Sequence, residues 1–177
     1  MLWFMYFWLY SFLGFLLETG YSFVTTGGFV TKKCFIFSLL CPVYGIGALS
    51  IIGTTYKFRK NYFYVFIIGA LVATMVEYFV DFAYEMLFGM HIWNYSGLPY
   101  NLNGRVCLLF TFFWGILSVV LVRYIHPVIE KYTPCISNRM CILICIFFIF
   151  DSICSSIVLK EYSCKEALSL QWLVQNT

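Results

Sequence analysis

The sequence predicts an all-α membrane protein, a polytopic bundle of about five transmembrane helices. Hydrophobic residues make up 62% of the 177 residues and charged residues only 11%, which is too little charge to cover the surface of a water-soluble domain. Apolar runs of about 20 residues, long enough to cross a bilayer, recur along the chain. The net charge of +3 contains no basic block, so nucleic acid is not expected as a partner.

The apolar runs divide the chain into five predicted spans. We interpret the first run as a spanning helix and not as a signal peptide, because it is long and lacks a basic start and a small-residue cleavage site. No linker, repeat or low-complexity segment interrupts the pattern, which predicts a single integral membrane domain over residues 1–177. The predicted spans are residues 2–24, 42–56, 62–88, 104–124 and 140–158.

The segments outside these spans are short. The second span is short for a full crossing, so residues 34–40 before it are expected to dip into the membrane as a re-entrant segment or to lie at its surface. Residues 161–177 are expected to form a surface amphipathic helix. Small residues in the second span would let another helix approach closely; they are Gly45, Gly47, Ala48, Ser50 and Gly53.

The distribution of lysine and arginine predicts the orientation, because cytoplasmic loops carry an excess of both. Six of them fall on one predicted side: Lys57, Arg59, Lys60, Arg123, Lys131 and Arg139. Five fall on the other: Lys32, Lys33, Arg105, Lys160 and Lys165. The bias becomes six against two when Arg105 and the C-terminal lysines are set aside. We therefore expect a multi-pass protein of the cell membrane with a cytoplasmic N-terminus.

An acidic stripe in the third span is the main functional signal. In VEYFVDFAYEMLFGM, Glu77, Asp81 and Glu85 are four residues apart, which places them on one face of a helix. Burying an ionised carboxylate is costly, and ionisable residues inside a membrane mark functional sites by default. Counting along the helices places a larger polar set in the same half of the membrane, lining one cavity: Glu18, Tyr44, Glu77, Asp81, Glu85, Arg105 and Asp151.

Simpler interpretations of these helical residues stay open. Glu85 could reach the lipid headgroups, and Asp151 could bond a neighbouring backbone or hydroxyl group. Glu77 and Arg105 could be a structural ion pair that joins two helices. The eight cysteines, which lack metal-ligand spacing, are interpreted as small buried hydrophobic residues.

The polar loop before the fourth span offers a second signal. In NLNGRV, Asn101 or Asn103 is predicted to cap the fourth helix. The helix N-terminus and Arg105 would then suit a carboxylate or phosphate, or they would hold only Glu77 or Glu85 of the same chain. Trp93 and Tyr95 could instead belong to an interfacial aromatic belt, and His91 is interpreted as an interface histidine and not a metal ligand.

Three motifs carry a family resemblance. SFLGFLLET, CPVYGIGAL at 41–49 and WNYSGLPYNLNGRVCLLFTFFWG at 93–115 resemble a family of small bacterial membrane proteins catalogued as ABC-transporter permeases. The family pattern contains G-W-L-L-E-T, C-P-x-Y-G and W-D-Y-S followed by N-L-N-G-R, and its E-Y element falls on Glu77 and Tyr78. Asn94 stands where the family has Asp, which removes a charge from the loop. Lys33 replaces an Arg, and Ser38 and Leu39 replace a Gly-Pro pair.

The resemblance implies a permease, that is, a transport component. No Walker A loop is present in the chain, so a separate ATPase subunit, or self-association, is expected to complete the pathway. We expect a small polar or cationic solute to bind in the cavity, with Glu77 as principal ligand or proton carrier and Glu18 in support. The candidate substrate-binding residues are Glu18, Tyr44, Glu77, Asp81, Trp93, Tyr95, Asn101, Asn103 and Arg105.

Two alternatives belong to other functional classes. A membrane-embedded enzyme acting on a lipid or lipid-linked substrate could use paired carboxylates as acid and base. A structural or accessory subunit would use the polar pairs only to hold helices together. Because the sequence contains no Ser/His/Asp or Cys/His nucleophile set and no metal triad, an enzyme is the weaker expectation. We expect no catalytic residue, metal or cofactor.

Overall fold

The computed structural model describes residues 2–26, 34–133 and 137–162. Helices dominate these residues: α1 (Leu2–Thr26), α2 (Pro42–Thr55), α3 (Tyr62–Phe88), α4 (Leu108–Val120), α5 (His126–Tyr132) and α6 (Asn138–Tyr162). A 3-10 turn (Tyr56–Phe58) follows α2, and a π-helical stretch (Leu121–Ile125) joins α4 to α5. Two short antiparallel strands, β1 (Asn101–Leu102) and β2 (Val106–Cys107), form a hairpin. The all-α prediction is confirmed.

Among the described residues, four helices are long and apolar enough to cross a membrane: Leu2–Thr25, Tyr62–Phe88, Leu108–Tyr132 and Asn138–Tyr162. By contrast, α2 has 14 residues and spans only about 21 Å at 1.5 Å per residue. Large apolar side chains point outward from the long helices, with Phe63 76% exposed and Met86 72% exposed. Such surfaces suit contact with lipid, and the chain is a multi-pass membrane protein.

The fourth helix differs from its prediction at both ends. It begins at Leu108, since Tyr100, Asn103 and Gly104 have φ angles of 55°, 54° and 67°, and such left-handed residues turn the chain into a hairpin. Its N-cap is Cys107, with no side-chain cap hydrogen bond. The prediction that Asn101 or Asn103 caps this helix was therefore wrong. Instead, Asn101 Oδ1 accepts a hydrogen bond from the Gly104 N–H (3.1 Å) inside the hairpin.

Residues 34–40 are not helical. Two side chains of α6 accept hydrogen bonds from the backbone N–H groups of this segment. Asp151 Oδ1 accepts a hydrogen bond from the Phe37 N–H (3.1 Å), and its Oδ2 accepts one from the Ser38 N–H (2.7 Å). Ser155 Oγ accepts a hydrogen bond from the Ile36 N–H (3.0 Å). Asp151 is fully buried, so the interpretation that it bonds a neighbouring backbone is confirmed. A membrane-dipping position for residues 34–40 stays a prediction.

The chain divides into two compact units, one of Met1–Gly45 with Ile136–Thr177 and one of Ile46–Cys135. The single domain over residues 1–177 stays a prediction. The predicted surface helix at 161–177 lies, from residue 163 onward, outside the described residues, as do Lys32, Lys33 and Lys165.

Within the second unit, α3 and α4 pack closely through glycines. A Cβ atom on Gly69 would overlap the side chain of Ser118, and one on Gly115 would overlap the ring of Phe66. Thr74 Oγ1 donates a hydrogen bond to Thr111 Oγ1 (2.9 Å) across the same contact. Small residues allow this approach, and they place the acidic face of α3 next to α4.

In the first unit, small residues bring α1 against the start of α2. A Cβ atom on Gly14 would overlap the Tyr44 side chain, and one on Gly45 would overlap Ser11. The Cys41 N–H donates a hydrogen bond to the Ser11 carbonyl oxygen (2.9 Å). The predicted close approach is thus found at Gly45. Gly47 and Gly53 meet no atom of the described residues within 4 Å.

Candidate functional site

The acidic residues of α3 converge with the loop and hairpin that follow it, all within the second unit. Glu77 and Asp81 are buried, with 5% and 0% of their surface exposed, whereas the Glu85 side chain is 39% exposed. All three carboxylates are held by hydrogen bonds or ion pairs from residues 91–114. The structure therefore separates one stripe of three acids into two environments.

Glu77 is held by two aromatic donors from different elements. Its Oε1 accepts a hydrogen bond from the Tyr95 hydroxyl (2.9 Å), and its Oε2 accepts one from Trp114 Nε1 (2.8 Å). Trp114 belongs to α4, and Tyr95 stacks on Phe110 with ring centroids 4.8 Å apart. Both donors are neutral, so they stabilise a carboxylate without neutralising its charge.

Asp81 contacts both the loop and the hairpin that follow α3. Its Oδ2 accepts a hydrogen bond from Arg105 Nη1 (2.8 Å) and lies 2.8 Å from His91 Nδ1. Its Oδ1 accepts a hydrogen bond from the Ile92 N–H (2.7 Å). This one fully buried side chain therefore fastens both the loop and the hairpin to α3, and the charge-assisted bonds offset the cost of its burial.

Arg105 joins Asp81 to Glu85. Its second terminal nitrogen donates to Glu85 Oε2, and the guanidinium lies over the rings of Tyr78 and Phe82 at 5.6 and 5.4 Å. The hydrogen bond to Glu85, and then that to Asp81, raise the pKa of the Arg105 guanidinium above its ordinary value, although burial opposes them. Of the alternatives for an intramolecular partner of Arg105, the pairing with Glu77 is contradicted and the pairing with Glu85 is found, together with Asp81.

His91 was not counted among the binding residues, yet it contacts the cluster from the exposed side. Its Nδ1 faces Asp81, and its Nε2 lies 3.4 Å from Glu85 Oε1. With 45% of the side chain exposed, the ring lies on the outer side of the buried Asp81 carboxylate. Sequence spacing gave no signal for this contact, since His91 follows the end of α3.

The remaining loop residues hold the loop and hairpin in shape. Trp93 Nε1 donates a hydrogen bond to the Arg105 carbonyl oxygen (2.6 Å), and the Tyr95 N–H donates one to the Gly104 carbonyl oxygen (2.7 Å). Asn103 Nδ2 donates a hydrogen bond to the Tyr78 hydroxyl (3.1 Å). Trp93 and Asn103 therefore position Arg105, while Tyr95 reaches Glu77 directly.

A polar pocket of about 90 Å³ lies on this loop. The acids of α3 are engaged in the hydrogen bonds above and do not line it. Of the predicted binding residues, only Trp93 and Asn103 do. The lining residues are His91, Trp93, Asn94, Ser96, Asn103 and Gly104.

Two further predicted residues meet in the first unit. The Tyr44 hydroxyl donates a hydrogen bond to Glu18 Oε1 (2.9 Å), and the missing side chain of Gly14 makes room for the Tyr44 ring. Asp151 binds the backbone of Phe37 and Ser38. A single cavity that unites these residues with Glu77 stays a prediction. No group of three or more His, Cys, Asp or Glu residues in the described segments is arranged to hold a metal ion.

Comparison with known proteins adds one match. A family model described as "Putative ABC-transporter type IV" matches residues 5–156. That range contains all three motifs on which the resemblance rests, together with Glu18, Tyr44, the acids of α3 and Arg105. No curated protein and no solved structure matches the chain.

Proposed function

Because this chain belongs to the "Putative ABC-transporter type IV" family, we propose that it is a transporter's membrane component that binds a small polar or cationic solute at Glu77. This proposal rests on the position and the hydrogen bonds of the Glu77 carboxylate. Glu77 lies 15 residues into α3, about 22 Å from the start of the helix, and two neutral aromatic donors hold it. An intramembrane ionisable residue in such a position is a functional candidate by default.

The chemistry around Glu77 suits a cation or a hydrogen-bond donor. A cationic or donor group of a solute would replace Tyr95 or Trp114 as partner of the carboxylate. The displaced aromatic rings attract cations through their faces, so they would continue to contact the solute. In this proposal Glu77 is the ligand, and Tyr95 and Trp114 hold its carboxylate in place until the solute arrives.

The Asp81 cluster has a different role in this proposal. Asp81 and Glu85 already share Arg105, and His91 faces both of them. This arrangement favours the interpretation in which the anion held by Arg105 belongs to the same chain. The cluster then fixes the loop that carries Tyr95 and thereby positions a donor for Glu77.

The energy source in this proposal is a separate ATPase subunit on the cytoplasmic side. The orientation is supported by basic residues at one end of the second unit, where Arg123 Nη1 donates to the Arg59 carbonyl oxygen (3.2 Å). Lys57 and Lys60 lie within two residues of Arg59, Lys131 lies eight residues after Arg123, and all three lysines are exposed. Arg105 is a single arginine at the other end of α3, so the excess of lysine and arginine remains at the basic end. The N-terminus would then lie in the cytoplasm.

Native mass spectrometry of the protein, gently extracted from its host membrane, tests the proposal. The wild-type chain is expected to carry a small polar molecule and an ATPase subunit. Glu77→Gln, which removes the charge but keeps the shape, should lose the small molecule and retain the subunit. Glu130→Gln is the matched control, because Glu130 is exposed on α5 and accepts a hydrogen bond from Tyr56 (2.5 Å); it should retain both.

Two results would contradict the proposal. If Glu77→Gln kept the small molecule at the wild-type level, Glu77 would not be its ligand. If the wild-type chain carried neither a polar molecule nor an ATPase subunit, the transport role itself would be lost.

A further inference from the structure

Two cysteines lie in contact at the ends of the non-helical segment before α2. Cys34 Sγ and Cys41 Sγ are 3.0 Å apart. A disulfide bond measures 2.03–2.05 Å, so the two sulfurs would need to approach by only about 1 Å to be joined. We propose that Cys34 and Cys41 are a redox pair that forms an intramolecular disulfide by exchange with a small-molecule disulfide such as glutathione disulfide.

The position of the pair is fixed by hydrogen bonds on both sides. The Cys41 N–H donates to the Ser11 carbonyl oxygen of α1, and Cys41 directly precedes the first residue of α2. Between the two cysteines, Asp151 and Ser155 of α6 hold three consecutive backbone N–H groups. The approach of the two thiols is therefore set by the packing of the first unit.

The two thiols differ in access, which assigns their roles. Cys34 is half-buried and Cys41 is 6% exposed. A small-molecule disulfide therefore meets the Cys34 sulfur first, and Cys41 is placed to resolve the intermediate. Access of this kind governs thiol–disulfide exchange together with thiolate character.

The exchange proceeds in two balanced steps. The Cys34 thiolate attacks one sulfur of the small-molecule disulfide, the S–S bond of that molecule breaks, and one small thiol leaves. The Cys41 thiolate then attacks the Cys34 sulfur of the mixed disulfide and displaces the second small thiol. Two electrons and two protons pass in total from the cysteines to the small molecule.

In the proposed orientation residues 34–41 face the outer side, where disulfides persist; the exchange itself does not depend on that orientation.

Thiol counting on the purified full-length protein tests the pair. The chain has eight cysteines, so reduced, denatured wild type should take up eight maleimide groups. After incubation with glutathione disulfide, acid quenching and denaturation, we expect six, with the two missing labels mapped to Cys34 and Cys41. Cys145→Ser is the matched control on another half-buried cysteine, and it should also lose two labels.

The single variants separate exchange at this pair from general oxidation. Cys41→Ser should stop at a mixed disulfide on Cys34, seen as one glutathione adduct, and should form no intramolecular disulfide. Cys34→Ser should keep all seven of its thiols after the same incubation with glutathione disulfide. The proposal is overturned if wild type keeps all eight labels, retains a stable adduct at Cys34 despite Cys41, or loses labels at other cysteines instead.

Discussion

At the scale of single residues, Asp81 and Glu85 show how strongly environment separates chemically similar groups. Both bind Arg105, and they lie one helical turn apart on α3. Asp81 is completely buried, while 39% of the Glu85 side chain is exposed. Removing one partner of a buried charge pair leaves the other uncompensated, whereas an exposed partner is replaced in part by water.

Substitution of these two acids should therefore have unequal effects. We expect Asp81→Asn to lower the free energy of unfolding by about 3–5 kcal/mol and Glu85→Gln to lower it by much less, since water replaces part of its exposed contact. Chemical unfolding in detergent micelles, followed by the fluorescence of the tryptophans, measures both.

A double substitution provides the control for this pair. Asp81→Asn combined with Arg105→Gln removes both buried charges, so it should cost less than the sum of the two single substitutions. Equal losses for Asp81→Asn and Glu85→Gln, or additive losses in the double variant, would contradict the role of Asp81 as the buried anchor.

Sequence spacing located the acidic stripe but could not choose the partners of its members. Residues four apart on a helix share a face whatever surrounds them, so Glu77, Asp81 and Glu85 could be selected by counting. The partner of Arg105 depends on the hairpin turn at Asn103 and Gly104, where two successive residues have positive φ. Helical periodicity carries no information about such a turn, so it left both Glu77 and Glu85 open as partners of Arg105.

At the scale of elements, the apolar runs located the helices, but not every helix end. The predicted third span, residues 62–88, coincides with α3 (Tyr62–Phe88). The predicted fourth span ended at residue 124, yet the helix continues through the π-helical stretch to Tyr132. The Arg123 guanidinium lies over the Tyr62 ring at 4.5 Å, and this contact accommodates a charge inside a helix that hydropathy alone would end there.

The contact between α3 and α4 makes an element-scale prediction. Gly69→Ala would force a Cβ atom into Ser118, so we expect a loss of about 1–3 kcal/mol in the free energy of unfolding. Gly53→Ala in α2 is the matched control, because its Cβ would meet no described atom within 4 Å. It should be neutral or should gain up to about 1 kcal/mol from helix propensity.

Unfolding measurements on Gly69→Ala and Gly53→Ala test whether the close approach of α3 and α4 contributes to stability. If Gly69→Ala proved as stable as Gly53→Ala, the close approach of α3 and α4 would not contribute to stability. A partial rescue of Gly69→Ala by Ser118→Gly would instead locate the effect at this contact.

At the scale of the whole molecule, the proposed orientation places the basic end of the second unit in the cytoplasm. Impermeant maleimide applied to intact cells should label Gly97→Cys and should label Lys60→Cys only after the membrane is permeabilised. Both positions are exposed, so access to the reagent depends on the side of the membrane. Wild type treated in the same way gives the labelling of the native cysteines, which is subtracted, and the reverse pattern would place the basic end outside.

The hydrogen bonds of Asp151 and Ser155 have a consequence for biosynthesis. They join backbone groups near the start of the chain to side chains 113 to 119 residues later. At a synthesis rate of about 5–20 residues per second, the ribosome needs roughly 6–23 s to reach Asp151 after Ser38. During that interval the whole second unit is synthesised, and the N–H groups of residues 36–38 have no Asp151 or Ser155 acceptor yet. The first unit is thus begun first and completed last, and a chain that stops before α6 would leave its opening segment without those bonds.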